Sequence, residues 1–171
     1  VSLPFFVYGT LRPGEYNYRR FLESCTAAAE PALWRGAVLY EGPGYPYAVE
    51  ETSAGAGGGA RTVHGDLVTP EPEGYARLLA LLDRLEDYVP GDPHNDYERV
   101  ARAVEAASGP VEAWVYVAAP AVAARLRASG RELPGGDWLM RAGAPARTGS
   151  PGRPRAPRRP APQPPGGPHT P

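Results

Sequence analysis

The sequence predicts an α+β fold, a small and mostly antiparallel β-barrel or strongly curled sheet carrying an amphipathic helix. Three observations predict it. Short runs rich in Val, Leu, Tyr and Phe are cut by Gly and Pro, the pattern of strands and turns. One segment, residues 73–88, carries a clear helical period. The elements do not alternate strand and helix in the order that a parallel, doubly wound sheet needs.

Taken in order, Phe5-Phe6-Val7-Tyr8 is a β-branched and aromatic run ended by Gly9, a buried strand followed by a turn. Residues 16–23 have room for one or two helical turns. Residues 33–40 read as a second strand, Gly42-Pro43-Gly44 breaks it, and residues 45–50 resume extended structure. Residues 53–60 are nearly all Gly and Ala and read as a flexible loop. Val63-His64-Gly65-Asp66-Leu67-Val68 is the next strand. In the helix over 73–88, at about 100° per residue, Tyr75, Leu78, Leu79, Leu81, Leu82 and Leu85 share one broad face, with Arg77, Arg84 and Asp87 opposite. Val89-Pro90-Gly91-Asp92-Pro93 stops it. Residues 97–106 and 111–118 alternate as a strand pair joined at Ser108-Gly109. Residues 121–129 fit either a short helix or an extended crossing.

A chain of 171 residues with 42% apolar side chains has enough material for one domain. All 18 basic residues are arginine, and Ala, Gly and Pro are abundant, the bias of a GC-rich genome rather than a functional signal. The single cysteine, Cys25, can neither staple a fold nor build a thiolate metal site, which fits a reducing compartment. No run is apolar and long enough for export or for spanning a membrane, so a soluble, cytoplasmic protein is expected. Residues 1–140 hold 12 arginines against 19 acids, a formal −7, and so acidic a body argues against nucleic acid as the main partner. Residues 151–171 contain nine prolines and no aliphatic larger than Ala. They cannot bury enough apolar area to offset their ordering entropy. The organisation expected is therefore a domain over 1–140 and a disordered Pro/Arg/Gly-rich tail over 141–171. The tail's arginines and prolines also fit an SH3-type or RNA contact, against the plainer reading of a biased tail with no specific role.

The common catalytic motifs are missing: no Gly-x-Ser-x-Gly elbow, no His-Glu-x-x-His and no P-loop. His64, His94 and His169 have no ligand spacing. Gly55-Ala56-Gly57-Gly58-Gly59-Ala60 matches a dinucleotide fingerprint but leads into a strand, not a helix, so its context fails.

Two features remain. After the strand, the successive N–H groups of Gly9, Thr10 and Leu11 leave the sheet unpaired, and such a turn can cradle a carboxylate or a developing oxyanion. A side chain at Gly9 would crowd that nest or be barred by the local φ. An ordinary strand-to-loop exit has the same appearance. The second feature is Leu82-Asp83-Arg84-Leu85-Glu86. Glu86 falls between the directions of Leu79 and Leu82, inside the apolar face, with Asp83 at its edge and Asp87 pointing away. A carboxylate aimed at a core is costly unless paired, protonated or used. Burial raises its pKa, which suits proton transfer near neutrality. A core glutamate tied to Tyr97 or Arg99 fits equally.

Seven segments occur in one order: Val7-Tyr8-Gly9-Thr10-Leu11-Arg12, Tyr45-Pro46, Val63-His64-Gly65-Asp66-Leu67, Leu82-Asp83-Arg84-Leu85-Glu86, Tyr97-Glu98-Arg99, Ala113-Trp114-Val115-Tyr116 and Gly136-Asp137-Trp138. Together they resemble the γ-glutamylcyclotransferase superfamily, including its AIG2-like and γ-glutamylamine cyclotransferase branches, from Phe6 to about Leu139. The resemblance implies a mixed barrel with flanking helices and one cavity. It implies an enzyme that needs no metal or cofactor and acts on a small γ-glutamyl substrate, releasing 5-oxoproline. Glu86 is then the catalytic acid/base. The substrate-binding residues are Tyr8, Gly9, Thr10 and Leu11, with Tyr116 facing the pocket and Tyr97 closing over it. Tyr97 and Tyr116 also fit simple barrel packing. Two departures stand out. Asp87 replaces the glycine that usually follows the helix glutamate, and the loop over 90–96 is long. Both lie near the expected mouth, so they bear on substrate identity more than on the acid/base role. The leaving group (amine, dipeptide or carrier) is not legible. A small-metabolite binder on the same fold is the other reading, and its expected sign is loss of the helix glutamate, which is present.

Overall fold

A computed structural model describes residues 2–51, 61–141 and 143. The expected loop over 53–60, with its glycine-rich fingerprint, lies outside the described residues, as does nearly all of the expected tail. Among the described residues, seven strands and three α-helices follow in order: β1 (Phe5–Val7), α1 (Tyr16–Phe21), β2 (Thr26–Arg35), β3 (Ala37–Glu41), β4 (Pro46–Glu50), β5 (Thr62–Pro70), α2 (Tyr75–Leu85), β6 (Tyr97–Ala106), β7 (Gly109–Ala118) and α3 (Pro120–Ser129).

Five of the strands close a barrel in the order β1-β5-β2-β6-β7. Each neighbouring pair is antiparallel except β1 and β7, whose parallel contact at Phe5 and Trp114 closes the ring. There the Trp114 N–H donates to Pro4 O at 2.8 Å. The β3–β4 hairpin forms a separate two-stranded sheet. This is the α+β barrel with flanking helices that the sequence predicts.

β1 is only three residues long, yet it is buried on both faces. Side chains alternate along a strand, so Phe5 and Val7 join the core beneath α2 and α3, while Phe6 joins Trp34, Val63, Val104 and Val115 in a second core cluster. The α2 stripe behaves as its period requires. Leu78 and Leu82 are buried, and Tyr75, Leu79, Leu81 and Leu85 pack partly buried against the same core.

Two readings change, and a third, left open between helix and extended crossing, is decided. The single strand expected over 33–40 is two strands, because Gly36 turns the chain with φ 81 between β2 and β3. The alanine-rich start of β2 is strand only because it pairs with β5, from Ala28 opposite Thr69 to Arg35 opposite Thr62. Residues 120–129 are helical, opened by Pro120 in the first turn, with Val122, Ala123 and Leu126 buried.

Candidate active site

The chain leaves β1 and turns at once, with the Arg12 N–H donating to Gly9 O at 3.1 Å. Arg12 is buried and grips two carboxylates. Its Nε donates to Asp66 Oδ2 at 2.6 Å and its Nη1 to Asp137 Oδ1 at 2.8 Å. Asp66 stands on β5, and Asp137 also caps the 3-10 turn Trp138–Met140 by accepting from the Leu139 N–H. Three of the signature segments are therefore one charge cluster that fixes the turn. Among the described residues, the N–H groups of Gly9, Thr10 and Leu11 carry no backbone hydrogen bond. Gly9 itself corrects an expectation. Its φ is not left-handed, but a Cβ would stand 2.8 Å from Pro46 Cδ. Close packing demands the glycine here, and it explains why Tyr45-Pro46 belongs to the signature.

The helix end supplies the opposite wall. The Tyr88 N–H donates to Asp83 O at 2.8 Å and the Asp87 N–H to Arg84 O at 3.3 Å. These are the two bonds of a Schellman motif, which needs a left-handed residue just past the cap. Asp87 takes that role at φ 52, the only non-glycine residue with positive φ among those described. A glycine adopts that torsion without strain. The helix ends at Leu85 rather than at residue 88, and Glu86 is its C-cap residue (φ −86, ψ 3). The glutamate is thus delivered by the end of the helix rather than by its face, and it is half-buried.

These walls enclose a cavity of about 510 Å³, counting its mouth. Tyr8, Gly9, Thr10, Leu11, Glu86, Tyr97 and Tyr116 all line it, so every site residue named from the sequence faces one space. Glu86 is the sole acid among the described residues lining it.

The phenols are held firmly. The Tyr8 hydroxyl donates to Tyr116 O at 2.5 Å and accepts from the Ala48 N–H at 3.3 Å. The Tyr97 hydroxyl donates to Pro46 O at 2.8 Å, and its ring stacks on Tyr47 with centroids 4.8 Å apart. Tyr97 is buried and forms part of the cavity wall. Tyr116 donates to Asp83 Oδ1 at 2.7 Å. Burial, reinforced by the charge of Glu86, pushes the Tyr8 phenol upward. Burial, then the bond to Asp83, does the same for Tyr116. Both stay protonated at neutral pH. Arg99 pairs with Asp83, at 3.4 Å.

Asn17, which the sequence does not mark, and Tyr45, which it marks only as part of a signature segment, also line the cavity. Asn17 is buried, and its Nδ2 donates to Thr10 Oγ1 at 3.0 Å. In a short polar helix, Tyr-Asn-Tyr-Arg-Arg-Phe, one asparagine carries no signal. Among the described residues no cluster of three His, Cys, Asp or Glu could hold a metal ion, and no helix is long and apolar enough to cross a membrane.

A closed five-stranded barrel whose first strand ends in such a turn, facing a glutamate at a helix end, defines a class. The chain belongs to the AIG2-like gamma-glutamyl cyclotransferase family, whose model matches residues 5–140. Among individual relatives, it is 32% identical over 113 residues to the gamma-L-glutamyl-butirosin B gamma-glutamyl cyclotransferase of Niallia circulans. That match spans 66% of this chain and 64% of the relative, slightly under two thirds of its length. Of solved structures, YkqA from Bacillus subtilis superposes with a TM-score of 0.54 at 21% identity, over 81% of this chain and 40% of that one, a likeness of fold. An AIG2-like protein from Mus musculus gives a TM-score of 0.47 at 23% identity, over 68% of this chain and 77% of that one.

Proposed function

We propose that this protein is a γ-glutamyl cyclotransferase that closes a γ-glutamyl group onto itself, releasing 5-oxoproline and a free amine or amino acid. The observation that carries the reading is Glu86, the one carboxylate among the described residues lining a cavity whose other wall is the Gly9-Thr10-Leu11 turn, where no N–H makes a backbone hydrogen bond among the described residues. Glu86 takes a proton from the α-ammonium. The freed amine attacks the γ-carbonyl, and the C–N bond that forms closes a five-membered lactam. The carbonyl oxygen gathers negative charge in that step, and N–H donors aimed at it lower the barrier. As the tetrahedral centre collapses, the attacking nitrogen gives up its second proton and the bond to the leaving nitrogen breaks; the two protons, relayed by Glu86, depart on that nitrogen as an ammonium, and the lactam keeps one N–H. Tyr8 and Tyr116 cannot substitute as base, since burial keeps both phenols protonated.

Nucleophile and electrophile share one molecule, so holding one rotamer supplies much of the rate, and no cofactor enters the scheme. The proposed site is Glu86 as acid/base, with Tyr8, Gly9, Thr10, Leu11, Tyr97 and Tyr116 around the substrate. The proposed catalytic domain is 1–140. Deleting the residues after Ala146 is expected to leave turnover and melting temperature unchanged within a few degrees, roughly the effect of 1 kcal/mol. A larger drop, or loss of activity, would show that the tail docks or takes part.

The test is incubation with γ-glutamyl amines and dipeptides, reading 5-oxoproline by mass spectrometry. The panel includes γ-L-glutamyl-butirosin B, the compound in the name of the Niallia circulans relative. Release of 5-oxoproline from at least one member is expected. Tight binding of a γ-glutamyl compound without release would make the protein a metabolite binder instead.

A further inference from the structure

The polar groups of the cavity do not all offer the same thing to a ligand. Tyr116 lines the cavity but gives its only phenolic proton to Asp83 Oδ1, at 2.7 Å. A carboxylate can only accept, so this proton stays committed to Asp83 and the Tyr116 oxygen keeps only lone pairs to offer. Asp83 is held in turn by Arg99, whose Nη1 lies 3.4 Å from Oδ2. The Arg99 guanidinium sits 4.8 Å from the Trp114 ring and 5.6 Å from the Tyr88 ring, and its buried Nε and Nη1 have no hydrogen-bond partner among the described residues. It therefore acts on Asp83 as a fixed charge.

Around Thr10 the polarity is reversed. Thr10 Oγ1 accepts from Asn17 Nδ2, which leaves the threonine proton available to donate beside the N–H groups of the turn. The cavity thus has a donor pole at the turn and an acceptor pole at Tyr116 and Glu86.

We infer that Asp83 is a positioning residue: it makes the Tyr116 hydroxyl an obligate acceptor, and that acceptor binds the α-ammonium of the γ-glutamyl group beside Glu86. This rests on the function proposed above and extends it to the recognition of a free amine. A γ-glutamyl compound lacking that amine should gain nothing from Tyr116.

The test is calorimetric binding in a Glu86→Gln background, which keeps the probes intact. One probe is a γ-glutamyl alkylamide. The other is the matching N-alkyl monoamide of glutaric acid, identical but for the missing amine. Tyr116→Phe removes the acceptor. Asp83→Asn presents an amide whose oxygen turns to Arg99, a pure donor, and whose NH2 turns to Tyr116, freeing the phenolic proton toward the cavity. Each variant is expected to weaken the γ-glutamyl probe by about tenfold or more, the scale of a hydrogen bond to a charged group. Each should leave the glutaric monoamide within about twofold. The double variant should bind no worse than Tyr116→Phe alone, because the two residues act through one oxygen. Equal loss on both probes, no selective loss in either single variant, or additive losses would overturn the inference. Release of 5-oxoproline by the wild-type protein is read separately, so failure of the cyclotransferase reading and failure of this one remain distinct.

Discussion

The turn over residues 8–12 is held from far away, by carboxylates 54 and 125 residues from Arg12. The backbone at Glu86, by contrast, is set by the local bonds of its own helix end, from the Glu86 N–H to Leu82 O and from the Tyr88 N–H to Asp83 O. Both walls face the same cavity, but they fail differently. A long-range clamp couples the site to the stability of the whole barrel, because Asp66 stands in β5 and Asp137 caps the last turn of the fold. A local cap can be altered with little effect on the barrel. Substitutions in the two regions should therefore separate stability from chemistry.

The largest effect on stability is expected for Arg12→Leu. It strands two carboxylates that are 13% and 24% exposed. Removing one partner of a buried ion pair costs about 3–5 kcal/mol, and the partial exposure of Asp137 puts this case near the lower end. A melting point lower by about 10 °C is expected, with activity lost in step with the folded fraction. Full stability in a folded Arg12→Leu protein would show that the clamp is not needed.

Gly9→Ala comes next. Its Cβ meets the Pro46 ring, whose carbonyl is tied to the Tyr97 hydroxyl, so the cavity lip must shift. Overpacking of this kind costs about 1–3 kcal/mol, and a displaced binding surface can lower kcat/KM by up to about 100-fold. Kinetics on the soluble variant checks it, and unchanged kcat/KM would remove the turn from the site.

The smallest effect has the opposite sign. Asp87→Gly relieves the left-handed strain at φ 52, which should raise stability by about 0.5–1 kcal/mol and leave turnover unchanged. Thermal melting reads it, and a lower melting point would mean that the Asp87 side chain makes up for its own backbone.

The same contrast decides what could be read from the sequence. The α2 stripe, the pairing of β6 with β7 and the turn after β1 all follow from local period and punctuation. The direction of Glu86 on a helical wheel marks it as inward-facing, although the helix stops one residue short of it. The reason Asp87 matters became visible only with its φ, since a side chain's identity does not declare a left-handed torsion. The Arg12 cluster was present as three separate motif fragments, and no local rule joins residues so far apart. The first half of β2 is not legible, because an alanine run has no alternation to detect and owes its conformation to the partner strand β5. Asn17 is not legible either, because burial of one amide depends on what the rest of the chain packs against it.

The most direct measurement is turnover and melting temperature on Glu86→Gln. Glutamine keeps the shape of the side chain but cannot exchange a proton at neutral pH. Cyclisation should fall by at least about 100-fold, the lower end of general acid–base catalysis, while the melting temperature stays within a few degrees of wild type. Asp87→Asn, on the exposed neighbour, serves as the control and should keep its activity. A folded Glu86→Gln protein that releases 5-oxoproline at the wild-type rate would contradict the assignment of Glu86 as the acid/base.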